Sequence, residues 1–285
     1  GYTHGISAGS TPKDLETALQ LTYLHFTAPN HDPAAFDLLK RRLEAGIANQ
    51  AQNPGSVFGE RVRLVNTSNH CTARTTTLDE IRRLNPDRMM AYYTARFANA
   101  ADFTFFFVGA FSVEAITPLL NTYLASLPST GVKTAMMGDL HLQFPTAVQR
   151  ETVNKGQEPK SQTVMTFFAD TQLDELETHR LRAAATVLEM HLREILREEL
   201  GGTYSVGVGY SDTSPQSGYG TTSVQFGSSP DNANKLEKAV MSELDRLKRE
   251  GPSDSDLQIV KETEDRKSTR LNSSHVSEFR MPSSA

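Results

Sequence analysis

The stretch LREILREELGGTYSVGVGY, residues 192–210, combines the end of a helix, a glycine turn and the beginning of a strand. Apolar residues recur at helical spacing up to the glycines. The Gly201-Gly202 pair predicts the helix end, because glycine adopts the left-handed conformation beyond a helix at little steric cost. Residues 204–210 alternate large and small side chains, which is typical of a strand. The turn therefore separates a helix-terminal guanidinium, Arg197, from a strand-initial phenol, Tyr204.

Periodicity and capping residues around this turn predict an α+β domain. Strands are expected at residues 149–153, 161–168, 204–210 and 220–226. Helices are expected at residues 175–200, from Ser229-Pro230 to Gly251-Pro252, and after a cap at residues 253–256.

The N-terminal part of the chain predicts a second domain of the same class. A capping box at Thr77–Glu80 begins one of its helices. The run DFTFFFVG, residues 102–109, is the most hydrophobic in the chain. Its length and its β-forming residues predict a buried central strand.

A segment rich in Pro, Ser, Thr and Gly between Leu127 and Thr146 predicts a linker. We therefore expect a first domain at residues 1–128, a linker at 129–147 and a second domain at 148–264. Each is predicted to have a mainly antiparallel sheet with helices packed on one face. The chain begins without Met in what reads as the middle of a domain, so we expect the first domain to be truncated at its front and the second at its back.

The last 21 residues differ in character from the rest of the chain. Residues 265–275, DRKSTRLNSSH, have no periodicity and read like a translated sequencing-library adapter, with residues 276–285 as read-through. We therefore expect residues 265–285 not to belong to the natural protein. A natural polar tail is the other interpretation.

The composition excludes several classes of function. With 285 residues, of which 38% are hydrophobic and 22% charged, the chain can bury a core of ordinary size. A net charge of −5 without a basic stripe argues against nucleic acid as a partner. The single cysteine, Cys71, excludes an internal disulfide. No segment approaches the roughly 20 apolar residues that a membrane helix needs.

The sequence LREELGGTYSV, residues 196–206, resembles the C-terminal, non-catalytic half of the insulinase/pitrilysin (M16) zinc peptidases. The bacterial envelope type of that family is the most similar. In that family an arginine near a helix end and a tyrosine seven positions later reach across a chamber to the zinc site of the other half. The resemblance implies that Arg197 and Tyr204 bind peptide substrate. It also implies a zinc ion on an N-terminal catalytic half of the same protein, and a location in the periplasm or cell envelope.

The catalytic signature of that family, H-x-x-E-H, places two zinc-binding histidines and a general base on one helix. None of the eight histidines opens this pattern. The nearest match begins at His191, but Ile195 occupies the second ligand position, and an apolar side chain cannot coordinate zinc. We therefore predict no metal ligand and no catalytic residue in this chain, a structural role for His191, and no activity for the fragment alone.

Two alternatives remain open, one from the residues alone and one from the family resemblance. Without the resemblance, Arg197 reads as a surface residue near a helix end and Tyr204 as a residue packed on a sheet. A zinc-free member of the same family that acts as a structural or partner subunit is the other functional hypothesis. The sequence upstream of this chain distinguishes this zinc-free subunit from a zinc peptidase, because H-x-x-E-H there indicates an enzyme.

Overall fold

A computed structural model describes residues 4–134, 138, 140–169, 174–203, 205–212 and 220–263, apart from the side chains of Glu198 and Glu199. The predicted tail at 265–285 thus lies outside the described residues. Two compact units emerge: Gly1–Gln143 with Gln149–Val153, and Phe144–Val148 with Asn154–Ala285. The domain boundaries at residues 128 and 148 remain predictions.

The first unit is helical in its described part. Its helices are α1 (Leu15–Thr27), α2 (Pro33–Gln52), α3 (Pro54–Asn66), α4 (Leu78–Arg82), α5 (Pro86–Phe97) and α6 (Val113–Tyr123). Each helix from α2 to α6 follows a residue whose side chain accepts a hydrogen bond from the first turn: Asp32, Asn53, Thr77, Asn85 and Ser112. The predicted capping box of Thr77 and Glu80 is present.

An aromatic cluster forms one core of this unit. Phe26 and Phe97 are buried, and their ring centroids lie 5.1 Å apart in an edge arrangement. Phe103 packs on Phe26 with a centroid distance of 4.7 Å. Rings at such distances interact favourably beyond the area that they bury.

The prediction of a buried central strand at residues 102–109 is wrong for the described structure. This segment pairs with no strand among the described residues. Phe103 and Phe105 pack against the aromatic cluster, whereas Phe106 and Val108 are 85% and 84% exposed. Burial alternates along the run, as it does when one face of an extended chain is covered. The strand predicted at residues 149–153 is likewise absent.

The second unit contains the sheet. Its strands are β1 (Ser161–Ala169), β2 (Val206–Asp212) and β3 (Gly220–Ser228), in the order β1-β3-β2 with antiparallel neighbours. Its helices are α7 (Glu175–Arg193), which continues as a π-helical turn over Glu194–Glu199, α8 (Pro230–Glu250), and residues 254–263. The predicted α+β class is confirmed, but the antiparallel sheet predicted for the first domain is not present among its described residues. No helix in the described ranges is both long and apolar enough to cross a membrane.

The register places the residues that pack on the helices on one face of the sheet. Val206 lies opposite Phe226 and Val208 opposite Val224. These residues pack with α7 and α8 in a core whose most buried side chains are Leu192, Leu196, Val224, Leu236 and Val240. Burial of each leucine contributes about 1.5–3 kcal/mol. The opposite face presents Gly209 and Gln225, both exposed, and also Phe168, on which Phe144 stacks with a distance of 4.3 Å between ring centroids.

Candidate functional site

The turn between α7 and β2 has an extra residue compared with an ordinary helix end. The Leu200 amide donates to the Ile195 carbonyl at 3.0 Å, five residues back, which is the hydrogen bond of a π-helix. The Gly202 amide donates to the Leu196 carbonyl at 3.0 Å. That bond spans one residue more than the corresponding bond of a Schellman motif. Single π turns are frequent at functional sites, because they redirect the side chains that follow.

The two glycines of the turn have different roles. Gly201 has a φ of +57°, the left-handed conformation that the sequence predicts. Gly202 has no positive φ, but a Cβ atom there would lie 2.6 Å from Cδ2 of Leu236. Leu236 is 1% exposed and belongs to the core. Gly202 is therefore required for close packing of the turn on α8, a role that sequence periodicity does not reveal.

Arg197 lies in the π turn with its side chain exposed. It forms no hydrogen bond or ion pair with the described part of the chain. Tyr204, the other predicted site residue, lies outside the described residues. Next to it, the Thr203 hydroxyl donates to the Ser205 carbonyl at 2.8 Å and accepts from the Ser205 amide at 3.2 Å. Whether Arg197 and Tyr204 act together remains a prediction.

A carboxylate on α7 accepts a hydrogen bond from a backbone amide of β2. Glu189 Oε2 accepts from the Val208 amide at 3.2 Å, and Glu189 Oε1 accepts from Arg193 at 2.5 Å. β2 is an edge strand of the described sheet. A charged side chain on an edge amide reduces unspecific pairing with other strands.

A buried ionic cluster, which the sequence did not predict, surrounds His191. His191 Nδ1 lies 2.7 Å from Glu243 Oε1, and Nε2 lies 3.0 Å from Asp256 Oδ1. Arg246 donates to both oxygens of Glu243, at 2.8 and 2.7 Å. The partners lie 52 and 65 residues from His191 in the sequence, so no local pattern identifies them.

The electrostatics of this cluster favour its charged forms. Burial opposes a charge on the imidazole, but hydrogen bonds to Asp256 and Glu243, together with their charges, raise the pKa of His191 above 6.5. Burial likewise opposes charge on Glu243, but Arg246 and His191 keep the pKa of that carboxyl below its usual value. Hydrogen bonds from Ser253 and His191 lower the pKa of Asp256 to about 2.

The residues of the chain do not fit a zinc site in the described part. The carboxylates of Glu243 and Asp256 lie at opposite nitrogens of the His191 ring, so the three groups cannot converge on one ion. Across the described ranges, no group of three or more His, Cys, Asp or Glu residues is arranged to hold a metal.

A cleft of about 360 Å³ lies between α7, β2 and residues 254–263. Arg182 and Thr186 of α7, Val208 and Tyr210 of β2, and Val260 are among its lining residues. The Tyr210 hydroxyl is buried there without a hydrogen-bond partner in the described structure. It thus has unused donor capacity in a cleft that the exposed side chain of Arg182 also lines.

Known proteins resemble most of this chain. It is 27% identical to "Zinc protease PQQL-like" of Arabidopsis thaliana over 271 residues, which are 89% of this chain and 28% of that protein. It is also 27% identical to "Probable zinc protease PqqL" of Haemophilus influenzae, over 71% of this chain and 21% of that protein. The chain thus spans less than a third of the length of these relatives.

A solved structure and a family model agree with these similarities. The periplasmic protease PqqL from Escherichia coli superposes with a TM-score of 0.76 at 20% identity, over 90% of this chain and 28% of that chain, which shows a common fold. The family model described as the peptidase M16 inactive domain matches residues 83–264. The chain therefore belongs to the peptidase M16 family, as the predicted resemblance implied, and corresponds to the inactive domain of that family.

Proposed function

We propose that this chain is the non-catalytic C-terminal part of a zinc metalloendopeptidase and that it contributes contacts to the peptide substrate. The zinc ion and the general base would lie on an N-terminal catalytic half of the same protein. The observation that supports this most directly is the match of residues 83–264 to the M16 inactive domain, in a chain similar to proteins named zinc proteases. Because the E. coli relative is periplasmic, we propose a periplasmic or cell-envelope location.

Arg197 would bind the backbone of the substrate. Its guanidinium offers five N–H donors in a planar fork, which suits carbonyl and carboxylate oxygens. Its exposure and its lack of a partner in the described structure leave these donors available. The π turn and the close packing of Gly202 on Leu236 support a fixed position for the backbone that carries this side chain.

Tyr204 would act on the transition state. In peptide hydrolysis, negative charge develops on the scissile carbonyl oxygen, and a donor that is already aimed at that oxygen lowers the barrier. The family resemblance assigns this position to Tyr204, which lies between Thr203 and Ser205 in the sequence.

The experiment is a comparison of two arginine variants in the intact parent protein. Arg197→Ala should lower kcat/KM by about 10- to 100-fold, since a hydrogen bond to a charged group contributes about 1.5–3 kcal/mol. Arg249→Ala is the matched control, because Arg249 is also exposed and also lies in the last turn before a glycine of positive φ, Gly251. It should leave kcat/KM unchanged.

Zinc content is measured on both variants and should equal that of the parent. Equal kcat/KM for Arg197→Ala and Arg249→Ala would contradict the proposed role of Arg197. A parent protein that neither holds zinc nor hydrolyses peptides would support the structural or partner subunit instead.

A further inference from the structure

We propose that His191, Glu243 and Asp256 form a pH-sensitive clasp that joins α7, α8 and residues 254–263, and that this clasp weakens when the imidazole loses a proton. The three groups lie on three different helices of the second unit, one group on each. This proposal does not depend on the proposed function. It concerns only contacts inside the described part of this chain.

Hydrogen bonds from both ring nitrogens to carboxylates need a doubly protonated ring. Both ring nitrogens contact carboxylate oxygens, at 2.7 Å to Glu243 and 3.0 Å to Asp256. An ionised carboxylate only accepts hydrogen bonds, whereas a neutral imidazole has one donor and one acceptor nitrogen. A neutral ring would therefore place two lone pairs against each other at one of these contacts.

The charges around the ring balance only when it is an imidazolium. From α8, Glu243 and Arg246 face His191, and Arg246 Nη2 lies 3.0 Å from Nδ1. From residues 254–263, Asp256 faces it. The ring and the three charged groups that contact it, two carboxylates and one guanidinium, then sum to zero, whereas Glu250 lies farther out, 3.4 Å from Arg246. Loss of one proton leaves a net negative charge in a cluster where the Glu243 side chain is 4% exposed, and an unmatched buried charge is strongly unfavourable.

The geometry also indicates which proton leaves. Nδ1 lies near the Arg246 cation, and after deprotonation Arg246 Nη2 could donate to it. The Glu243–His191 bond is then lost, and the contact to Asp256 keeps its hydrogen bond but loses the attraction between opposite charges. Both connections of His191 therefore weaken together.

We expect residues 254–263 to respond first, because only two of their described residues are buried. Asp256 and Val260 are their buried residues within the described part. Asp256 also fixes the beginning of this helix, because it accepts hydrogen bonds from the Ser253 amide and hydroxyl at 2.8 and 2.7 Å. A weaker clasp would thus loosen the helix from its first turn onward.

Thermodynamic linkage between protonation and opening gives the direction of the pH effect and the pH range in which it occurs. The pKa of His191 is higher in the closed state than in the open state. Protonation therefore stabilises the closed state fully at pH values below the open-state pKa. This stabilisation is lost as the pH rises through the closed-state pKa. The opening constant of residues 254–263 should therefore be constant between pH 4.5, below which the carboxyl groups of Glu243 and Asp256 begin to bind protons in the open state, and pH 6.5. Above that it should rise about tenfold per pH unit until the closed-state pKa is reached.

Hydrogen exchange of this chain at several pH values, corrected for the intrinsic pH dependence of exchange, measures the opening constant. His191→Gln should abolish its pH dependence, since glutamine does not titrate. His179→Gln is the matched control, because His179 lies on the same helix with its side chain 56% exposed and should leave the pH dependence intact. The same pH dependence in His191→Gln as in the unaltered chain, or none in the unaltered chain, overturns the proposal.

Titration of the His191 ring by NMR in the unaltered chain provides a test that does not depend on whether a variant folds. The clasp requires a titration midpoint above 6.5 and a ring that carries two N–H protons below that midpoint. A midpoint at or below 6.5, or a single ring N–H in the acidic range, overturns it.

Discussion

Substitution of Gly202 by alanine should distort the turn that carries Arg197. A Cβ atom at Gly202 would lie 2.6, 3.1 and 3.2 Å from Cδ2, Cδ1 and Cγ of Leu236, whereas ordinary van der Waals contacts begin at about 3.4 Å. Leu236 is among the most buried residues of the core and cannot turn into solvent. Either its side chain leaves its preferred rotamer or the turn moves away from α8.

The expected loss of stability follows from this overlap. Insertion of one methyl group into a well-packed core typically costs about 1–3 kcal/mol. That is a large share of the roughly 5–15 kcal/mol that separates the folded and unfolded states of a domain. Gly202 has no positive φ, so the loss arises from packing and not from backbone strain.

Urea denaturation measures this loss, with Gly209→Ala as the matched control. A Cβ atom at Gly209 would meet no heavy atom within 4 Å beyond its own chain neighbours, and Gly209 has no positive φ. Alanine there should be neutral or stabilising by up to about 1 kcal/mol, because glycine weakens strand interiors. The midpoint of Gly202→Ala should fall without a change in the denaturant slope.

A double-mutant cycle with Leu236→Ala isolates the contact. Leu236→Ala alone should destabilise by about 2–5 kcal/mol. In that background Gly202→Ala should have little further effect, since the overlapping atoms are gone. An equal loss from Gly202→Ala in both backgrounds would refute packing against Leu236 as the reason for this glycine.

Three further predictions concern other parts of the chain. Tyr204→Phe in the parent protein should lower kcat by about 10²–10³-fold with zinc content unchanged, and full activity would contradict a role in the transition state. Thr77→Ala removes the cap of α4 and should destabilise the first unit by about 1 kcal/mol in urea denaturation, whereas Thr77→Ser should retain most of the stability. Since the pKa of Asp256 is lowered to about 2, its contribution to stability should be complete above pH 3.8 and disappear as the pH falls through 2. Acid denaturation of Asp256→Asn should lack this component, and a profile identical to that of the unaltered chain would contradict it.

Local patterns in the sequence predicted many of the helix ends and strands. Thr77 and Glu80 form their capping box, Gly201 adopts the left-handed conformation, and the strands expected at residues 161–168 and 220–226 are present as β1 and β3. The capping box and the helix end depend on residues that are close in the chain, and the strands are recognisable from the alternation of neighbouring side chains.

Features that depend on distant residues were not predictable. The run at residues 102–109 has the composition of a strand buried on both faces, but composition does not say whether neighbours exist to cover Phe106 and Val108. The steric role of Gly202 depends on Leu236, 34 positions later in the sequence numbering. The contacts of His191 depend on the packing of two further helices.

The most direct test of the central claim is a parallel measurement of bound zinc and peptide hydrolysis on this chain and on the intact parent protein. If this chain contributes substrate contacts to a metal site on another part of the polypeptide, the parent holds one zinc ion and hydrolyses peptides, and the isolated chain does neither. Tightly held zinc on the isolated chain, or peptide hydrolysis by it, would contradict the account.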